Sequence, residues 1–125
     1  MILRKVDEIG KEELKVGQKT LKQVLISSED APNFAMRKFT IEPGGFMPMH
    51  TNTVEHEQYV LNGKAKVKIG DKLLTVEKND VVFIPKGVEH NYTTIGDEAF
   101  EFLCIVPNEK DTITLINNIV IISYI

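Results

Sequence analysis

The sequence predicts an all-β fold, and three observations carry that prediction. Short runs of alternating apolar and polar residues recur along the chain, clusters of Pro, Gly, Asn and Asp separate them, and almost no segment shows helical periodicity. Many short strands with turn chemistry between them specify a sandwich or a barrel. A chain of 125 residues buries one core and little more, so a single domain is expected over 1–125.

In chain order, Ile2–Val6 reads as a short strand and Lys11–Lys15 as one helical turn bracketed by Gly10 and Gly17. Thr20–Ser27 reads as a strand and Ser28–Asn33, with Asp30 and Pro32, as a turn. Phe34–Glu42 is extended up to a turn at Pro43-Gly44-Gly45, after which the chain re-enters as a strand carrying His50 and Asn52. Leu73–Val76 and Val81–Ile84 are strands around the polar bend Glu77–Asp80, and Pro85-Lys86-Gly87 turns the chain into a strand at Glu89–Ile95. Gly96-Asp97 closes another turn before a strand at Ala99–Val106. After the polar break Pro107–Asp111, residues Thr112–Ile125 are β-branched and uncharged, with a hairpin predicted at Asn117-Asn118. Exposed, such a run templates aggregation, so it must be covered, either by strands of its own barrel or across a dimer.

Asn62-Gly63 between two apolar runs reads as a hairpin turn. That register sets Val60 against Ala65, Gln58 against Val67 and His56 against Ile69 on one face, with Glu57 opposite Lys68 on the other. The lysine face belongs to solvent and the Ala-Val-Ile face to the core, so His56 points inward while Glu55 and Glu57 point out. His50 and Asn52 share a face because residues two apart in a strand do, and His90 and Tyr92 repeat the pattern. All three histidines of the protein therefore lie on inward faces of predicted strands, where neutral ring nitrogens can converge on one cation. The alternative is that each is a buried strand residue hydrogen-bonded to backbone. Cys104 shares strand parity with Phe100 and Phe102 and reads as a small buried hydrophobe rather than a ligand. Phe46, Met47, Met49, Phe83 and Tyr92 are candidates for core or pocket wall.

These segments resemble the two motifs of the cupin superfamily. Gly44, His50 and Gly63 stand at first-motif positions, with Asn52 where the family's second histidine stands and His56 where its glutamate stands. Pro85, Gly87 and His90 match the second motif, in which Asn79 replaces the first glycine and Thr94 the final asparagine. A histidine in the glutamate place resembles the small four-histidine, manganese-binding cupins, and Asp30–Phe34 and Glu101–Cys104 are similar to that subgroup as well. The resemblance implies a jelly-roll (double-stranded β-helix) barrel with its core at about 30–107, the apolar extension 112–125 lying beyond it. It also implies one divalent metal held by His50, His56 and His90 with Asn52 beside it. Manganese or iron is favoured by the subgroup, although Ni, Cu and Zn also accept imidazole. The implied activity is that of a metal-dependent oxidoreductase of dioxygenase type acting on a small molecule. A metal-dependent isomerase and a non-enzymatic small-molecule or metal-binding module are the competing readings, and a homodimer is the expected assembly.

Composition narrows the partners. A net charge of −3 without a basic cluster provides no electrostatic footprint for nucleic acid. The single cysteine rules out an intrachain disulfide and fits a reducing cytoplasm. The amino terminus reads as no signal peptide, and the longest apolar run is short of the ~20 residues that span a bilayer, so no membrane partner is expected.

Overall fold

The computed structural model describes residues 1–115 and 120–123. Its strands are β1 Glu12–Glu13, β2 Gln18–Ile26, β3 Phe34–Asn52, β4 His56–Asn62, β5 Lys64–Ile69, β6 Lys72–Glu77, β7 Val81–Ile84, β8 His90–Ile95, β9 Phe100–Pro107, β10 Asp111–Leu115 and β11 Val120–Ser123. They form one antiparallel sheet with the order β6-β5-β8-β3-β9-β4-β7, to which β2 and β10 add along β3. The sheet curls on itself into an all-β jelly-roll barrel. The bend between β6 and β7 folds back onto β4, where the Val60 N–H donates to the Asp80 carbonyl and the Asn79 N–H donates to the Val60 carbonyl. No helix among the described residues is long and apolar enough to cross a membrane.

β3 is the axis of the fold. The predicted turn at Pro43-Gly44-Gly45 is instead a bulge inside one long strand. Gly44, at φ +84°, supplies the positive backbone angle, and the register to β2 slips there between the pairs Gln18–Phe46 and Thr20–Ile41. The bend lets the first half of β3 pair with β2 and β9 while its second half pairs with β8 and β10.

The alternation read from the sequence holds, but the pairing inferred from Asn62-Gly63 does not. β4 pairs with β7 and β9, and β5 pairs with β6 and β8, so the two strands flanking Gly63 belong to opposite walls. The chain is steered across by Ala99, whose carbonyl accepts a 2.9 Å bond from Asn62 Nδ2 and crowds Gly63. Glu57 accordingly faces Phe83 and Ile105, and Lys68 faces Leu73 and Asn91, so their predicted pairing is absent. Faces survive because alternation belongs to each strand separately. His56, Gln58, Val60, Ala65 and Val67 are buried while Glu55, Glu57 and the lysines at 64, 66 and 68 are exposed.

The amino-terminal segment departs from expectation. Ile2–Val6 is not a strand. Val6–Glu8 is a 3₁₀ turn, and the buried Gln23 amide donates to the carbonyls of Val6 and Ile9. Arg4 pins the preceding stretch through a two-pronged bond to Asp30. Lys11–Lys15 is too short to nucleate a helix, and Glu12–Glu13 instead extends along β2.

The interior is filled by Ile41, Val60, Val67, Ile84 and Phe100, all essentially inaccessible, and by a ladder of rings in which Phe102 stacks between Phe39 and Tyr92 at 5.3 and 5.2 Å. Phe46 and Phe83, read as core or pocket wall, are both exposed. At the carboxyl terminus β10 lies along the end of β3, with Leu115 beside His50 and Ile113 beside Asn52, and β11 pairs back onto β10. The turn predicted at Asn117-Asn118 lies outside the described residues.

Candidate metal centre

Three strand ends bring the three histidines together. His50 near the end of β3 sits opposite His90 at the start of β8, and His56 opens β4. The loop carrying Pro85–Gly87 is tied to the same place by a 2.8 Å bond from the Gly87 N–H to the Asn52 carbonyl. All three rings are buried, His90 most deeply. The His50 and His90 centroids are 4.2 Å apart, and those of His56 and His90 are 6.0 Å apart.

Backbone contacts set the tautomers. His50 Nδ1 donates to the Pro48 carbonyl at 2.7 Å and His90 Nδ1 to the Val88 carbonyl at 2.9 Å. A carbonyl only accepts, so Nδ1 carries the proton in both rings and Nε2 keeps its lone pair. His56 Nδ1 lies 3.3 Å from Cys104 Sγ. The buried Nε2 atoms of His56 and His90 have no hydrogen-bond partner among the described residues. All three rings are held below the usual histidine range. Burial is the main cause in each, reinforced for His56 by the charge of Arg37 and for His90, pushed down to about 4, by His50. Neutral imidazoles are the form that binds metals.

The three rings border a small recess. The recess, of about 30 Å³ and enough to admit a water-sized group, is bounded by His50, His56, His90, Gln58 and Tyr92. As the side chains stand, no group of three or more His, Cys, Asp or Glu among the described residues is closed to ligating geometry. With nitrogens about 2.1 Å from one ion, imidazole centroids lie about 4.5–5.2 Å apart. The observed separations of 4.2 Å for His50–His90 and 6.0 Å for His56–His90 lie on either side of that range.

Asn52 is buried beside them and its orientation is determined. Its Nδ2 donates to Asp111 Oδ2 at 2.7 Å, which leaves Oδ1 buried and unpartnered among the described residues. Asp111 also accepts from the Thr53 N–H at 2.9 Å. This buried carboxylate went unread because it sits in the polar break after β9. Continuing the alternation of Ile113 and Leu115 back by two residues is the signal that points to it.

Above the recess lies a cavity of about 230 Å³ with His50, Asn52 and His56 in its floor and Leu14, Met47 and Ile113 among its walls. Arg37 and Lys22 line it as well, and neither was singled out from the sequence. Cys104 is fully buried as expected, and burial raises its thiol above the ordinary range. Its sulfur accepts from Arg37 Nη2 at 3.0 Å, so it is more than a space-filling group.

The family model for the cupin domain matches residues 37–106, more than half of the chain and the stretch that holds every histidine. The chain belongs to the cupin family. It is 31% identical over 90 residues to 1-methylthio-D-xylulose 5-phosphate methylsulfurylase of Rhodospirillum rubrum, covering 72% of this cupin and 57% of that protein. The chain thus spans little more than half the length of that relative. The polyketide cyclase RemF of Streptomyces resistomycificus superposes with a TM-score of 0.81 and 28% identity, over 87% of this chain and 80% of that one. A cupin-2 domain protein from Rhodospirillum rubrum superposes with a TM-score of 0.74 and 30% identity, over 86% and 72% of the two chains.

Proposed function

We propose that this cupin holds one divalent transition metal through the Nε2 atoms of His50, His56 and His90, and acts on a small molecule that enters through the outer cavity. The observation that carries the reading is the group of buried, neutral imidazoles around a small recess, with Nε2 of His56 and His90 lacking any partner among the described residues. Leaving such atoms unsatisfied in the interior is costly unless a ligand completes them. Manganese or iron is the favoured ion, by resemblance to the four-histidine cupins. Bound there, it supplies Lewis-acid polarisation of a substrate oxygen and, in those two cases, redox chemistry with dioxygen.

The chain's own groups have separate tasks. The Pro48 and Val88 carbonyls lock two imidazoles in the ligating tautomer. Phe39 and Met47 give the recess an apolar side. Asn52 Oδ1, fixed by Asp111, is placed to accept a hydrogen bond from a water or a substrate hydroxyl above the site.

The leading reaction class is oxidative, of dioxygenase type. A non-oxidative rearrangement is the second reading, favoured by the likeness to a protein named a polyketide cyclase. Oxygen uptake by the metal-loaded protein with enolic, phenolic and thiol substrates separates them. Uptake with one substrate class supports the oxidative reading. Product formation without uptake supports the rearrangement, and binding without turnover leaves a ligand-binding module.

Asn52→His tests the fourth position. An amide oxygen is a weaker donor than imidazole to these ions, so the substitution is expected to tighten metal binding by about tenfold or more while lowering turnover. A competition titration in which the variant binds no better than wild type would remove Asn52 from the site.

A further inference from the structure

Arg37 is an unusual occupant of a barrel interior. It is 3% exposed, on the half of β3 that precedes the bulge, and its partner across β9 is Cys104. Its guanidinium lies over the Phe39 ring at 5.0 Å and donates from Nη2 to the Cys104 sulfur, a weak acceptor. Among the described residues Nε has no partner and no carboxylate pairs with the group. Burying a charge under-satisfied in this way is strongly unfavourable unless something else completes it.

A second cation lies beside it. Lys22 lines the same cavity with its side chain 15% exposed, and its nearest carboxylate, Glu12, is 4.0 Å away and largely in solvent. Burial, and to a lesser degree Arg37, lower the affinity of Lys22 for its proton, against the pull of Glu12. The described cavity lining thus carries two cations against one carboxylate, in a chain whose net charge is −3.

We infer that the outer cavity is an oxyanion site in which Arg37 and Lys22 grip a carboxylate or phosphate group of the substrate. The inference rests on the metal reading above for the other end of the ligand. Only Cys104 separates Arg37 from His56, by contacts of 3.0 and 3.3 Å in series, so a ligand of a few carbons held at Arg37 reaches the histidines. The ligand class is a short acid bearing a neighbouring oxygen function, such as a 2-oxo acid or a phosphorylated triose. The cavity of about 230 Å³ admits a molecule of that size.

The test compares charged and neutral forms of the same skeleton by calorimetry on metal-loaded protein: pyruvate against pyruvamide, and dihydroxyacetone phosphate against dihydroxyacetone. At least one acid is expected to bind about tenfold or more tighter than its neutral counterpart, and which pair shows the difference distinguishes a carboxylate from a phosphate source. Lys22→Met, at the cavity rim, should erase most of that preference without changing metal content, and Arg37→Met should do the same if it folds. Equal binding of acid and neutral forms, no binding of either acid at millimolar concentration, or an unchanged preference in Lys22→Met overturns the inference. Elemental analysis of the same samples keeps the two readings apart. Metal-loaded protein that ignores charge defeats the oxyanion site alone, whereas protein that takes up no metal on reconstitution yet still prefers the acid defeats the metal reading alone.

Discussion

His56→Ala should lose nearly all metal. Wild-type protein purified without chelator is expected to hold close to one transition metal per chain, and the variant less than about a tenth of that. Loss of a hydrogen-bond partner behind a ligand already weakens metal sites by about 10–100-fold, so loss of a ligating nitrogen should exceed that range. His56 is the informative choice because it alone comes from β4, and His50 and His90 face each other directly without it. Glu57→Ala, on the outward face of the same strand, is the matched control and should keep its metal. Elemental analysis that finds wild type empty, even after reconstitution with manganese, iron, nickel, copper and zinc in turn, would falsify the site.

The second large effect is on stability. Gly63→Ala is expected to destabilise the fold by about 3 kcal/mol, read as a shift in the midpoint of urea unfolding. Two costs combine at this residue. Its φ of +76° is one that an L side chain adopts at a penalty of ~1–2 kcal/mol. A Cβ there would also collide with the carbonyl of Ala99, and overpacking of this kind costs a further ~1–3 kcal/mol. Relief would require moving Ala99 away from the Asn62 amide that holds it. A loss smaller than about 1 kcal/mol would mean that the link between the two walls yields, and that its close approach is not what steers β4 and β5 apart.

How much of this was legible in the sequence depended on whether the information was local. Alternation along 56–60 and 65–69 placed every side chain on its correct face, because the pleat alone determines it. The partners of those strands were not legible, since β7 and β9 come from distant sequence and the turn chemistry of Asn62-Gly63 is compatible with a crossing as well as a hairpin. His50, His56 and His90 could be read as a group because they are the protein's only histidines and all point inward. Arg37 and Asp111 could not. An arginine in a run such as Met36-Arg37-Lys38 looks like a surface residue until β2 and β9 close over it, and Asp111 gains its meaning only when β10 lies beside Asn52. The segment Lys11–Lys15 failed for the opposite reason: its local signal was weak and the nearby edge of β2 decided its conformation.

The reach of β3 constrains how the protein can be made. Its partners are β2, synthesised before it, and β8, β9 and β10, synthesised after it. A nascent chain that has just completed β3 has one of four neighbours available, and its histidine and asparagine ends lie beside strands that do not yet exist. Such distant pairings must first overcome the entropy of closing long loops, so assembly is expected to be slow and late. Half-made barrels in that interval leave the flanks of β3 unpaired, which makes stalled or truncated chains the species most prone to aggregate. Any ion that binds therefore meets an almost finished barrel, and metal supply during synthesis should change how long the completed protein survives rather than how fast it folds.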